Sequence, residues 1–245
     1  MRSLFVSDVH ANPAERTTLD AFLRFLSGPA KGADELFVLG DLFEAFPTPA
    51  HAARPGFREV IGAIEALSRT SRVAFLPGNR DFRLEPVFRA MGIERLPDLA
   101  RLEVGGASVL ATHGDLLCTR DRRYQAFRRA FRAKTLATLS EAVPQSVMDR
   151  FSDGARAGSK AETARKVYET MGLDAGRVRR LLQREDADAL VCGHVHWGVR
   201  HRMAVDGRDR DVFVLGAWED GANWLERADG AWAFRKEPGA TGRPA

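Results

Sequence analysis

The chain has 245 residues, of which 44% are apolar and 29% are charged, and its net charge is +4. This balance is typical of a globular protein, and the length suffices for a single α/β domain with a sizeable core. No stretch approaches the roughly 20 apolar residues of a membrane span, so we expect no transmembrane segment.

The first residues predict a strand and not a signal peptide. Residues 4–6 are apolar, but no long apolar run and no small-residue cleavage site surrounds them. The two cysteines, Cys118 and Cys192, form neither a metal-type nor a redox-type pair, which favours a reducing compartment. We therefore expect a cytoplasmic protein.

Five short apolar runs each end in a polar or glycine-bearing motif. They are residues 4–6 before 7–10, 36–39 before 40–41, 73–76 before 77–80, 109–111 before 112–115, and 189–192 before 193–196. Such runs predict strands buried on both faces, and the helical patterns between the early runs, at 15–28 and 56–68, predict βαβ units. Because ligands bind beyond the carboxyl ends of such strands, the five motifs should converge on one site.

Paired turn residues predict three hairpins. Residues 102–104 and 108–110 flank Gly105-Gly106, 199–205 and 212–215 flank Asp206-Gly207, and 224–226 and 231–234 flank Asp229-Gly230. Together with the βαβ units, they predict an α/β fold: a sandwich of mixed sheets with helices outside.

Residues 120–186 lack strand patterning and are predicted to form a helical cap inserted in the core. Their apolar residues recur at helical intervals, at Phe127, Phe131, Leu136, Leu139, Val143, Val147 and Phe151. These side chains either pack helix on helix or line an apolar pocket. The core would then comprise residues 1–119 and 187–237, followed by a disordered tail at 238–245.

Positive charge is concentrated in residues 120–166, which hold twelve Lys and Arg against five acids. This excess is consistent with a solvated helix face, or with an anionic partner such as a phosphorylated substrate, an acidic membrane surface or nucleic acid. No nucleic-acid-binding module or clear aromatic stacking platform accompanies it, so we expect no nucleic-acid partner.

Seven residues in the strand-end motifs are candidate metal ligands. In an extended strand end, Asp8 and His10, two apart, would lie on the same side. Imidazole and carboxylate groups suit Mn²⁺, Fe²⁺ or Zn²⁺, and seven ligands are too many for one catalytic ion. Two ions roughly 3.5–4 Å apart would clamp the oxygens of an in-line phosphoryl displacement. The candidates are Asp8, His10, Asp41, Asn79, His113, His194 and His196.

In this order, the motifs Asp-x-His, Gly-Asp, Gly-Asn, His and Gly-His-x-His resemble the calcineurin-like metallophosphoesterase superfamily. The resemblance implies a four-layer αββα sandwich. It also implies that one ion is held by Asp8, His10, Asp41 and His196. The second ion would be held by Asp41, Asn79, His113 and His194, with Asp41 bridging the two.

Arg80 follows Gly-Asn where most of the superfamily has a histidine, and this resembles the UDP-2,3-diacylglucosamine diphosphatase branch. Other similar stretches are 40–45, 113–115, 117–119, Asp121, Tyr124-Gln125, Arg156, Ser159, Lys166 and 214–218, so the resemblance spans roughly residues 1–235. The chain departs from that branch at three places. Residues 46–49 stand where the branch usually has an aromatic-rich acidic stretch, and Arg120-Asp121 stands where it tends to have two acids. Trp197-Gly198 stands where it usually has Arg-Pro.

The resemblance implies a hydrolase that splits the diphosphate of UDP-2,3-diacylglucosamine into UMP and 2,3-diacylglucosamine 1-phosphate, in lipid A biosynthesis. Its cofactors would be two Mn²⁺, with Fe²⁺ or Zn²⁺ as alternatives. Its partners would be this acylated, nucleotide-linked glucosamine and the anionic inner-membrane surface, to which a cytoplasmic monomer would bind peripherally.

The same resemblance implies roles for individual residues. Asn79, Arg80 and His113 would be catalytic, and Arg80 in particular can pair bidentately with phosphate oxygens. From the residues alone, Asp121 is equally consistent with a helix N-cap and Tyr124 with a core aromatic. The substrate-binding residues would be Asn79, Arg80, Asp121, Tyr124, Ser159, Lys166 and His194.

Three alternative functions remain open at this point. The first is a metallophosphoesterase acting on another nucleotide-linked lipid, and the second is a general phosphodiesterase or nucleotidase. The third is a scaffold that keeps the fold without metal.

Overall fold

The computed structural model describes residues 1–119, 172–219 and 221–237. The predicted substrate residues Asp121, Tyr124, Ser159 and Lys166, the basic segment and the tail at 238–245 lie outside the described residues.

The described elements, in chain order, are eleven strands, four α-helices and three 3₁₀ turns. The strands are β1 Arg2–Val6, β2 Glu35–Val38, β3 Arg72–Phe75, β4 Glu94–Arg95, β5 Leu99–Val104, β6 Ala107–Thr112, β7 Ala189–Cys192, β8 Val199–Val205, β9 Arg208–Val214, β10 Asn223–Ala228 and β11 Ala231–Lys236. The helices are α1 Arg16–Ser27, α2 Phe57–Ser68, α3 Glu85–Ala90 and α4 Ala175–Arg184. The 3₁₀ turns are Pro49–Ala53, Phe82–Leu84 and Asp115–Leu117.

Two mixed sheets form the centre of the fold. In the first, the order is β11-β10-β1-β2-β3-β4, with β1 to β4 parallel and β10 antiparallel to β1. In the second, the order is β5-β6-β7-β9-β8, with β6, β7 and β9 parallel and β5 and β8 antiparallel at the edges. The parallel strands bring the five polar motifs to the carboxyl edges of both sheets, as expected.

The strand residues alternate between two hydrophobic layers, which is why the apolar runs are continuous. Phe5 and Phe37 stack at 4.8 Å in the core between the sheets, whereas Leu4 and Val6 face the layer formed by α1 and α2. Helix α1 buries Phe22 and other apolar residues there, and each fully buried large side chain contributes about 1.5–3 kcal/mol. Helix α4 covers the outer face of the second sheet, so the predicted αββα layering is confirmed.

All three predicted hairpins are present. Each has two turn residues with positive φ, as in Asp229 (50°) and Gly230 (79°), which is the combination that a type I′ turn requires. The largest difference from the predicted hairpin boundaries is that β9 begins at Arg208 and not at residue 212. Its first residues are polar and gave no apolar signal, but they pair with β8 from Val205↔Arg208 onward.

Helix α4 corrects the predicted boundary of the inserted region. We expected residues 120–186 to form a cap, but Val178, Leu181 and Leu182 are buried against the second sheet. Asp174 caps the helix by accepting a hydrogen bond from Arg177 N at 3.0 Å. This stretch therefore belongs to the core, and the cap over the preceding residues stays a prediction. Within the described ranges, no helix combines the length and apolar character needed to cross a membrane.

Candidate metal centre

The loops that follow β1, β2, β3, β6 and β7 meet at one place, where backbone hydrogen bonds join them. His10 N donates to Asp41 O over 3.0 Å, and Gly193 N donates to His113 O over 2.8 Å. These bonds link loops that lie far apart in sequence. The structure thereby brings together all seven candidate ligands: Asp8, His10, Asp41, Asn79, His113, His194 and His196.

Five of these residues have left-handed backbone conformations. The φ angles are 53° at Asp8, 50° at His10, 52° at Asp41, 72° at His194 and 61° at His196. This conformation costs a non-glycine residue roughly 1–2 kcal/mol and occurs mostly where the surroundings enforce it. Our reason for expecting Asp8 and His10 on one side was therefore wrong: β1 ends at residue 6, and tight turns, not an extended strand, direct both side chains inward.

Two glycines allow the loops to approach each other closely. A Cβ on Gly78 would lie 2.1 Å from Asp41 Oδ1, and a Cβ on Gly193 would lie 2.1 Å from Asp8 Oδ2. Real Cβ atoms essentially never come within 3.0 Å of such neighbours. Both positions therefore require glycine for the carboxylates to stand where they do.

Asp8, His10 and His196 form the first group of potential ligands. One ligand atom from each lies within 4.8 Å of the others. The Nε2 atoms of His10 and His196 are 3.3 Å apart, and Asp8 Oδ1 lies 3.3 Å from His196 Nε2. This group corresponds to three of the four residues expected at the first ion.

Asp8, Asp41 and His113 form the second group, within the same limit of 4.8 Å. His113 Nε2 lies 3.7 Å from Asp41 Oδ2 and 2.9 Å from Asn79 Oδ1. The ring of His194 stands edge-on to that of His113 at 5.1 Å, and His194 N donates to Asp8 Oδ2 over 2.8 Å. Asp8 thus belongs to both groups, and the assignment of each residue to a particular ion stays a prediction.

His113 and the neighbouring His194 differ in charge. Burial disfavours a protonated His113, but the carboxylates of Asp41, Asp8 and Asp115 outweigh it and raise the pKa of His113 to about 9. Burial, followed by the neighbouring charge of His113, lowers the pKa of His194 to about 4. At neutral pH without metal, His113 is therefore protonated while His194 is neutral.

The chemistry of these side chains fits divalent cations. Asp8 is fully buried, and no group in the described part of the chain donates a hydrogen bond of good geometry to its Oδ1. Burial favours the neutral acid, but the surrounding histidines outweigh it and hold the pKa of Asp8 well below its usual range. An ionised, buried carboxylate among imidazoles is the environment that borderline divalent metals bind.

Arg80 stands beside the centre, and Glu44 holds it there. Its Nη1 lies 2.6 Å from Glu44 Oε1, its Nε lies 3.6 Å from Asp41 Oδ2, and its side chain is 29% exposed. The other carboxylate oxygen of Glu44 lies 3.3 Å from His10 Nδ1. Glu44 therefore orients both Arg80, a candidate phosphate-binding cation, and His10, a candidate metal ligand. Carboxylates that do not bind the metal themselves often orient the ligands of metal sites in this way.

We did not predict Glu44 as a site residue, although it lies in the stretch 40–45 that carries part of the resemblance. An acid three residues after Asp41 has no spacing that marks it as functional. The one available signal was its place in the same sequence motif as a candidate ligand.

Asp81 is a second residue that we did not predict. The neighbouring Arg80 pairs with Glu44 and Asp41. Asp81 is fully buried and accepts hydrogen bonds from Leu42 N at 2.7 Å and from Gly78 N at 3.0 Å. It thereby joins the loops after β2 and β3.

Comparison with known proteins gives consistent matches. The family model described as calcineurin-like phosphoesterase matches residues 1–198. A UDP-2,3-diacylglucosamine hydrolase of Aromatoleum aromaticum is 39% identical over 235 residues, which are 94% of each chain. A protein of the same name from an Enterobacter species (strain 638) is 36% identical over 225 residues, 89% of this chain and 91% of that one.

Among solved structures, an archaeal phosphodiesterase matches with a TM-score of 0.49 and 14% identity, covering 97% of this chain and all of that one.

Proposed function

The chain belongs to the calcineurin-like phosphoesterase family, and on this premise we propose that it hydrolyses UDP-2,3-diacylglucosamine to UMP and 2,3-diacylglucosamine 1-phosphate. Relatives at 36–39% identity over about nine-tenths of the chain are named UDP-2,3-diacylglucosamine hydrolase. The observation that supports the proposal most directly is the buried cluster of Asp8, Asp41 and histidines with Arg80 at its edge.

In the proposed reaction, water adds at the α-phosphorus. The water oxygen bonds to that phosphorus, and the bond from phosphorus to the bridging oxygen breaks. The bridging oxygen leaves with the sugar phosphate, and the protons of the water pass to solvent and to the phosphate products. When bound, two divalent ions supply positive charge that polarises a phosphate and lowers the pKa of water.

Arg80 is proposed to bind the diphosphate. Its guanidinium is charged at any physiological pH and can donate two parallel hydrogen bonds to phosphate oxygens. Because Glu44 holds Nη1 at 2.6 Å, the side chain is positioned before substrate arrives, which lowers the entropy lost on binding. In the transition state, the same charge would stabilise the oxygens of the phosphorus under attack.

Asn79 and His113 are proposed to be catalytic residues that act together. His113 Nδ1 lies 2.9 Å from Leu39 O, which holds the ring with Nε2 toward Asn79 and Asp41. His194, neutral at pH 7, would contact a substrate phosphate or an ion. The roles proposed for Asp121, Tyr124, Ser159 and Lys166 rest on the resemblance to the family.

The metals would be two Mn²⁺, with Fe²⁺ or Zn²⁺ as alternatives, since the ligands combine imidazole and carboxylate. With a lipid substrate, the protein would bind peripherally, as a monomer, at the cytoplasmic surface of the inner membrane.

The test is turnover of UDP-2,3-diacylglucosamine by the purified protein with Mn²⁺ in ¹⁸O water. We expect label in UMP, and a fall in kcat of at least about a hundredfold in Arg80→Ala, from the loss of a charge contact to the transition state. Arg89→Ala, an exposed arginine on α3, is the matched control and should behave as wild type.

Label confined to the sugar phosphate would contradict attack at the α-phosphorus. Turnover of bis-p-nitrophenyl phosphate as fast as that of the lipid would favour a general phosphodiesterase instead. No turnover of the lipid by the Mn²⁺-loaded protein would contradict the proposed substrate.

A further inference from the structure

A cavity of about 400 Å³ opens directly beside the candidate metal centre. His196, a candidate ligand, and the following Trp197 form one side, and Asn223 and the end of β11 form the other. This volume lies within the usual range of small-molecule sites. Since His196 lines both the cavity and the metal centre, a molecule whose phosphate lies at the metals can extend into the cavity.

Trp197 gives this cavity a flat aromatic surface. Its side chain is 43% exposed, and among the described residues the other large apolar side chains with comparable exposure are Met1 and Phe234. Phe234 also lines the cavity, but its ring packs against Phe213 at 6.0 Å. A tryptophan left exposed beside a reaction centre provides a stacking surface of the kind that planar bases use.

Polar and charged side chains also line the cavity. Asn223 donates through Nδ2 to Ala217 O at 2.6 Å, which fixes its amide in place. Within the described residues no group donates to its Oδ1, which can accept a hydrogen bond from a ligand N–H. Glu219 and Lys236 add charged groups at the rim. An acyl chain placed here would desolvate these groups without pairing them, whereas a base and a ribose can form hydrogen bonds with them.

Two glycines keep the floor of the cavity open. Gly198 and Gly216 face each other, and a Cβ on Gly216 would come within 3.4 Å of Gly198 Cα and 3.2 Å of Asn223 Oδ1. Side chains at these positions would occupy the space between Trp197 and Asn223. The backbone therefore leaves a slot beside the indole.

We infer that this cavity binds the uracil and ribose of the nucleotide half of the substrate, with the base stacked on Trp197 and its N3–H directed to Asn223 Oδ1. This inference rests on the proposed function, which supplies a uridine nucleotide as one half of the substrate. It orients the diphosphate across the metal centre, with the nucleoside on the β8–β11 side and the sugar lipid on the other side.

The inference is tested by measuring the binding of UMP and of ribose 5-phosphate to the Mn²⁺-loaded protein by calorimetry. Both ligands are inert to the reaction and share the phosphate, but only UMP has the base. We expect Trp197→Ala to weaken UMP binding about tenfold or more, because base stacking is lost. The affinity for ribose 5-phosphate, which has no base, should be unchanged. Trp197→Phe should retain most of the affinity, and His201→Ala, an exposed ring on β8 outside the cavity, should match wild type.

Three results would overturn the inference. If Trp197→Ala weakened the binding of UMP and of ribose 5-phosphate equally, the substitution would act on phosphate binding at the metals and not on the base. Unchanged UMP affinity in Trp197→Ala would show that the base does not stack on Trp197. Unchanged UMP affinity together with weaker binding to phosphatidylglycerol vesicles would identify Trp197 as a membrane contact instead.

Turnover separates this inference from the proposed function. If wild type hydrolyses UDP-2,3-diacylglucosamine and Trp197→Ala raises KM about tenfold with kcat nearly unchanged, both hold. If the variant has a wild-type KM, the cavity assignment fails while the function stands. If wild type does not hydrolyse the lipid but binds UMP through Trp197, the substrate proposal fails and the nucleotide cavity stands.

Discussion

Replacing Gly78 by alanine should damage the metal centre through a single methyl group. The added Cβ would lie 2.1 Å from Asp41 Oδ1 and 2.3 Å from Asp41 N, against a practical minimum of 3.0 Å. The carboxylate or its loop must therefore move by about 0.9 Å, the difference between 3.0 and 2.1 Å. Forced shifts of this kind cost about 1–3 kcal/mol of folding free energy, and we expect Mn²⁺ affinity to fall by about 10–100-fold.

Gly62→Ala on α2 is the matched control. Gly62 is exposed in a helix, and a Cβ there meets nothing within 4 Å, so this variant should gain about 0.5–1 kcal/mol in stability. The assay is thermal unfolding with and without Mn²⁺, together with calorimetric titration of Mn²⁺. At saturating metal, a tenfold loss of affinity removes about 1.4 kcal/mol of metal-dependent stabilisation. Wild-type Mn²⁺ affinity in Gly78→Ala would refute the close-packing account of this site.

Three further predictions concern the residues around the centre. Asp81→Ala should lower the free energy of unfolding by about 2–5 kcal/mol, since two buried backbone N–H groups lose their acceptor; an unchanged urea midpoint would contradict this. Binding of Mn²⁺ should release the proton of His113, so the Mn²⁺ affinity should rise with pH up to about 9 and then level off. Calorimetry in buffers of different ionisation enthalpy would detect the released proton. If no proton is released, His113 is not a protonated ligand of the metal. Glu44→Gln should reduce kcat by about 10–100-fold by loosening Arg80, whereas Glu65→Gln on α2 should leave it unchanged; equal kinetics in the two variants would exclude a positioning role.

The strand ends were predictable from sequence because two independent patterns coincide there. A strand buried on both faces must be apolar throughout, and a polar motif after it has no place in the core, so runs such as 36–39 before Gly40-Asp41 identify both the strand and the site. The order of parallel strands then fixes the edge at which the motifs meet, and β1, β2, β3, β6 and β7 follow this logic.

The local geometry of the site was not predictable in the same way. The positive φ of His10 and His196 depends on loops that come from distant parts of the chain, and no spacing rule describes it. The same holds for Glu44, which contacts Arg80 and His10, and for Asp81, which accepts from two backbone N–H groups, because the fold provides these partners. Helix α4 was assigned to the cap because its pattern is helical, and periodicity cannot show which surface a helix covers.

Anomalous diffraction from crystals grown with Mn²⁺ tests the central claim, that these loops hold a pair of metal ions. We predict two anomalous peaks roughly 3.5–4 Å apart, the first beside His10 and His196 and the second beside His113, with a carboxylate of Asp8 or Asp41 between them. A single peak, or two peaks that neither of these carboxylates contacts, would contradict the account.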